Sequence, residues 1–167
     1  MLSYYEDGQF TLPNRLRKHV IRRPGKSECD FWFVKRLPNG KYSYFNFNGE
    51  RMMEADFYVA YKFFDGRAVV AANKTDMLFS YINSKGELAF NGLFETNRHF
   101  SEGLVPVSCN GITDIYLDVD GNQAFPGNFA TGTLFLYGLA LVEFTEGDWG
   151  YINKKGERIQ TETEYAI

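Results

Sequence analysis

The residues most able to do chemistry are Asp118, Asp120 and Asn122, three oxygen-bearing side chains at alternate positions around Gly121. That spacing matches the first half of a calcium loop. Calcium, however, takes six to eight oxygen ligands and its loops close on a distant bidentate carboxylate. The histidines are His19 and His99 alone, and neither stands in a Cys/His cluster with zinc-ligand spacing. A Ser/His/Asp site would have to use one of these two, with no elbow motif nearby. Gly25-Lys26-Ser27 matches the tail of a phosphate loop, but Val20 stands where its first glycine belongs. Any two acids can meet in a fold, so spacing alone leaves a paired-carboxylate glycosidase open. The expectation is a chain with no enzymatic activity, no metal and no cofactor.

The strongest charge feature is a basic run. Residues 14–27 carry Arg15, Arg17, Lys18, Arg22, Arg23 and Lys26 with no acid, in a chain of net charge −3. The plain reading is a solvated face. An acidic protein surface is the next, and nucleic acid or anionic lipid the third. Trp32 and Phe33 adjoin the run, and arginine beside aromatics is the composition of an interface centre. A partner is therefore expected on Arg15, Arg17, Lys18, Arg22, Arg23, Trp32 and Phe33. Charge reversal at Arg17 and Arg22 should weaken binding and leave the fold intact if this is so.

The elements that carry these residues recur. Gly49, Gly86, Gly121 and Gly156 are 37, 35 and 35 residues apart, and Asn46, Asn83, Asp118 and Asn153 precede them by three. Asn or Asp suits the first position of a type I turn, and glycine three residues on supplies the positive φ of a bulge. Aromatic strands lead into each turn, with Tyr44, Tyr81, Tyr116 and Tyr151 equivalent on one face. Phe45, Ile82, Leu117 and Ile152 take the other face. Asn48, Lys85 and Lys155 occupy the place of Asp120, which makes the acidic triplet a hairpin turn. A second glycine (Gly66, Gly103, Gly138) follows by 17 residues and opens an apolar run. Between the two glycines, Phe57, Phe94 and Phe129, then Phe63, Phe100 and Phe135, stand in register. Matches at several offsets with one period indicate a repeat architecture.

The strands carry a family pattern. Trp149-Gly150-Tyr151-Ile152-Asn153 and Phe100-Ser101-Glu102-Gly103-Leu104-Val105 resemble the two halves of the bacterial WG repeat. The resemblance spans about residues 31–160, although the Trp-Gly pair itself occurs once. It implies a binding scaffold and carries no shared enzymatic chemistry.

The expected fold is all-β, a solenoid-like tandem array of four three-stranded meanders at about 31–54, 67–90, 104–125 and 138–161, within a domain of residues 30–167. A closed four-bladed ring is the alternative. Crossovers at 55–66, 91–103 and 126–137 should pack phenylalanines under the neighbouring unit. Asp30 is aligned where a glycine is expected, and Pro106 marks an edge strand or bulge. Residues 1–29 lie outside the repeat and read as a cap. Cys29 and Cys109 share no repeat position and read as free thiols. The N-terminal stretch has no signal-peptide character and no run is long enough to span a membrane, so a cytoplasmic protein is expected. Composition is ordinary for a globular protein, with 23% charged and 44% hydrophobic residues. The leading function is a non-enzymatic protein-binding module in a bacterial defence, toxin-neutralising or effector setting. Carbohydrate or cell-wall binding and a degenerate enzyme or small-ligand sensor are the alternatives.

Overall fold

Local turn chemistry builds this chain. The computed structural model describes strands Tyr5–Glu6 and Gln9–Phe10 and residues 27–108 and 110–159. Among the described residues the regular structure is all β apart from one turn of 3-10 helix at Glu28–Phe31. β1 (Tyr5–Glu6) pairs with β2 (Gln9–Phe10). β3 (Phe33–Arg36) pairs with β4 (Tyr42–Phe45), giving a two-stranded sheet. β5 (Val59–Ala60), β6 (Ala68–Ala71) and β7 (Ser80–Ile82) form a three-stranded one. β8 (Leu104–Ser108) pairs with β9 (Asp114–Asp118). β10 (Thr131–Gly132), β11 (Leu139–Thr145), β12 (Asp148–Asn153) and β13 (Arg158–Ile159) complete a four-stranded sheet. Among the described residues all pairs are antiparallel and no sheet closes into a barrel.

The uniform three-stranded meander is not what forms. After each of the first three turns the return strand shrinks to a single bridge: Phe45 with Arg51, Ile82 with Leu88 and Leu117 with Gln123. The chain then leaves the sheet to bury Met53 and Phe125 in the core and to half-bury Phe90. The linkers hold no α-helix; those at 55–66 and 126–137 add β5 and β10 to the opposite edge. The linker at 91–103 forms no strand. Pro106 of β8, whose neighbour across the sheet is Tyr116, has no N–H to give it.

Three apolar clusters fill the spaces between successive hairpins. The first joins Tyr44, Phe57 and Phe63 to Ala68, Val70 and Ile82. The second joins Tyr81, Phe94 and Phe100 to Val105, Val107 and Leu117. The third joins Tyr116, Phe129 and Phe135 to Ala140, Val142 and Ile152. Each therefore combines the tyrosine face of one hairpin, two linker phenylalanines and the branched aliphatic face of the next. The two middle hairpins are apolar on both sides because both sides are covered.

Candidate functional site

The turn residues are held by identical local bonds. The side-chain oxygen of Asn46 accepts the N–H groups of Asn48 and Glu50 at 2.9 and 3.0 Å, and Gly49 N–H donates to the Asn46 carbonyl at 3.0 Å. The same three bonds recur around Asn83, Asp118 and Asn153. Gly49, Gly86, Gly121 and Gly156 take φ of 80°, 82°, 83° and 77°. In three turns the Asn amide also donates to a glutamate four residues on (Glu50, Glu87, Glu157). In the third the roles are exchanged, and Asn122 donates to Asp118 at 3.4 Å. Desolvation raises the Asp118 pKa, but the N–H groups of Asn122 and Asp120 and the Asn122 amide outweigh it and leave it below the usual carboxylate range. Both Asp118 oxygens are thus engaged by the turn itself. Among the described residues no group of three or more His, Cys, Asp or Glu side chains gathers into a metal site. His99 stacks on the Phe64 ring at 4.0 Å.

A second set of turns was not legible. Phe64 and Arg67 exchange backbone hydrogen bonds around Asp65 and Gly66, whose φ values are 52° and 77°. Ser101 with Leu104 and Leu136 with Leu139 do the same around Glu102-Gly103 and Tyr137-Gly138. Positive φ at both central residues is the two-residue hairpin geometry. Each glycine N–H is then taken by a carboxylate one hairpin earlier: Gly66 by Asp30 at 2.8 Å, Gly103 by Asp65 at 2.8 Å and Gly138 by Glu102 at 3.0 Å. The alignment of Asp30 with a glycine needs correction. Pairing of Val34 with Tyr44 and of Val69 with Tyr81 puts Asp30 level with Asp65, and Phe31 level with Gly66. For Asp65 and Glu102 an acid directly before glycine was the signal available; Asp30 precedes Phe31 and carries none. Glu102 also meets Lys154 at 3.1 Å; desolvation raises its pKa, but Lys154 and the Gly138 N–H outweigh it and hold the carboxyl low.

The tyrosines make a third repeated bond. Tyr44, Tyr81 and Tyr116 are fully buried and donate their hydroxyls to the carbonyls of Tyr61, Arg98 and Thr133 at 2.8, 2.7 and 2.7 Å. Desolvation raises all three phenol pKa values. Phe63, Phe100 and Phe135 meet these rings edge-on at 4.8, 5.3 and 5.2 Å. Most repeated aromatics therefore lie inside the clusters and not stacked at the surface.

The proposed partner residues divide. Arg15, Arg17, Lys18, Arg22 and Arg23 lie outside the described residues. Trp32 is 8% exposed and sits edge-on against Phe63 at 5.5 Å, so it offers the solvent little surface. Phe33 is half-buried and stacks on Phe45 at 6.1 Å, with the Lys35 ammonium over the Phe45 ring. Cys29 is a free thiol buried in the first cluster, its pKa pushed up to about 11 by desolvation and then by Asp30. Cys109 lies outside the described residues.

Half of the exposed large hydrophobic residues among those described lie on one sheet and its opening turn. Leu136, Tyr137, Leu139, Trp149, Tyr151 and Ile159 are all exposed, and all belong to the last sheet or the turn that opens it. Tyr151 is 44% exposed where its three equivalents are buried. Leu141 and Ile159 are its neighbours across the sheet, so the three side chains share one face. Sequence periodicity cannot find this face, because it is defined by what does not cover it.

No protein-family model matches the chain, and no curated protein matches it. Among solved structures, the computationally designed Ika8 protein is similar at 11% identity and a TM-score of 0.48, over 78% of this chain and 45% of that one. A protein of unknown function from Bacteroides caccae is similar at 15% identity and a TM-score of 0.33, over 75% of this chain and 64% of that one. The chain thus spans about half the length of the first and just under two thirds of the second. No helix among the described residues is long and apolar enough to cross a membrane.

Proposed function

We propose that this protein is a non-enzymatic protein-binding module of the WG-repeat type, an open stack of four hairpin units at about 31–54, 67–90, 104–125 and 138–161. The observation that carries the reading is the contrast between the buried tyrosines of three hairpins and the exposed Tyr151 and Trp149 of the fourth. An exposed aromatic patch is the surface composition that favours a macromolecular partner. Its exposure also favours an open stack over a closed ring, in which the first unit would seal it. The repeated polar groups give little support to catalysis, since the turn Asn and Asp side chains, the glycine-binding carboxylates and the buried hydroxyls all hold the chain together. The carbohydrate reading draws less support, since it needs stacked aromatics exposed between hairpins.

The test is affinity capture from the native host followed by reconstitution. A purified partner should form a defined complex with the isolated protein by sedimentation and calorimetry. Saturable retention of a glycan or a small molecule, with no protein partner, would replace this reading by one of its alternatives.

A further inference from the structure

We propose that the Tyr151 face of the fourth hairpin docks an extended segment of another protein that carries two phenylalanines six residues apart. The inference rests on the protein-binding reading and names the partner chemistry of that surface.

The molecule shows three times what such a face accepts. In each earlier hairpin a linker lies along the second strand. Its first phenylalanine exchanges two backbone hydrogen bonds with the residue two before the tyrosine, as in the pairs Phe57–Tyr42, Phe94–Phe79 and Phe129–Asp114. The carbonyl four residues on takes the tyrosine hydroxyl. The second phenylalanine, six residues after the first, closes edge-on over the ring. The fourth hairpin supplies the receiving half of this arrangement, with the Trp149 carbonyl accepting from the Arg158 guanidinium at 3.4 Å, a bond that an incoming backbone N–H would replace. Trp149 stands two before Tyr151, Ile152 is buried beneath them, and Leu141 and Ile159 flank the ring.

Residues 160–164 do not match the donating half. Gln160 stands where Met53, Phe90 and Phe125 stand, and Glu164 where the first phenylalanine stands. A second copy fits poorly as well. The outer face of the first hairpin would have to enter the new layer, and there Lys35 takes the place of Val70, Val107 and Val142. Burying that ammonium unpaired opposes such stacking. An extended segment with phenylalanines at the internal spacing meets no such obstacle. It would add to the sheet as the linkers do, with backbone bonds giving affinity and two side-chain positions giving specificity.

The probe is a free peptide copying residues 91–103, which contains Phe94 and Phe100. Titration into the full-length protein should saturate and shift the emission of Trp149, and Trp149→Phe should abolish that shift. Replacing both phenylalanines of the peptide by serine should weaken binding by about tenfold or more, since each loses the burial of a large ring. Tyr151→Phe should weaken it severalfold with an unchanged circular dichroism spectrum, because the hydroxyl loses its carbonyl. Equal binding of the two peptides, or no binding, overturns the proposal. So does a dimer of the protein that Tyr151→Lys dissolves, which would give the face to a second copy. A tenfold gain in peptide affinity from Tyr165→Ser with Ile167→Ser would assign the face to the chain's own tail and overturn it too. A host protein captured equally well by wild type and Tyr151→Lys leaves the protein-binding reading standing and removes this site from it.

Discussion

A methyl group added at the turn glycines meets three different surroundings. At Gly103 it meets nothing within 4 Å, at Gly86 it comes to 3.0 Å from the Met53 sulfur, and at Gly121 it overlaps the Phe90 ring. All three carry positive φ. Gly103→Ala should therefore cost about 1 kcal/mol, for the left-handed backbone alone, and Gly86→Ala about 1–2. Gly121→Ala should cost about 3 kcal/mol, since overpacking adds to the backbone term. Urea denaturation orders the three, and equal losses would leave backbone conformation as the whole cause. The buried tyrosines make a pH prediction. Their phenols have folded pKa values raised above the ordinary 10.0 by desolvation, with the Asp114 charge adding to the rise at Tyr116. The unfolded chain then loses its phenolic protons first as pH rises. Their contribution is complete below pH 10.0 and is lost progressively as pH climbs toward the folded values. Tyr116→Phe should cost about 1–2 kcal/mol near neutrality, leaving the Thr133 carbonyl without its donor. Above pH 10.0 its stability should fall less steeply than that of the wild type, and parallel slopes would sink the assignment.

At the scale of elements, Asp114 ties the start of β9 to two linkers. It is buried and accepts from the Arg98 guanidinium and from Gly132 N–H, while Arg98 also donates to the Gly132 carbonyl. Removing it leaves a half-buried cation facing an empty site, so Asp114→Ala should cost roughly 3 kcal/mol. An unchanged urea midpoint would show that Arg98 finds water instead. Asp114 also shows where sequence reading stops. It occupies the position of Phe79, and nothing local marks its partners, which lie 16 and 18 residues away. The Asn and Asp turns were legible because their bonds run two to four residues along the chain. The carboxylates that bind the next glycine were not, since Asp30 and Gly66 are 36 apart. The first unit was misaligned by one residue because a 3-10 turn replaces the glycine hairpin there. The return strands read as full because their alternation continues past the point where Phe90 and Phe125 turn inward.

For the whole molecule, three clusters built from consecutive hairpins predict nearest-neighbour energetics. A substitution in one cluster should weaken that cluster and the one beside it more than the far one. Apolar periodicity marked the strand faces that these clusters bury, but not that the Tyr151 face stays exposed, because exposure there depends on a neighbour and not on its own strand. Cys29 gives the layering a kinetic consequence. Its thiol reacts as thiolate, and burial suppresses both the thiolate and its access to reagent. Modification then waits for the first cluster to open, and its rate measures how often that happens. In a Cys109→Ser background, Phe63→Ala should speed labelling of Cys29 by at least about tenfold, since it opens a cavity worth several kcal/mol against the thiol's own cluster. Phe135→Ala, two clusters away, should leave the rate nearly unchanged while lowering overall stability as much. Equal acceleration by both would mean that the chain opens all at once. A side chain with no place in recognition thus becomes a timer, and distance along the chain is read out as a ratio of rates.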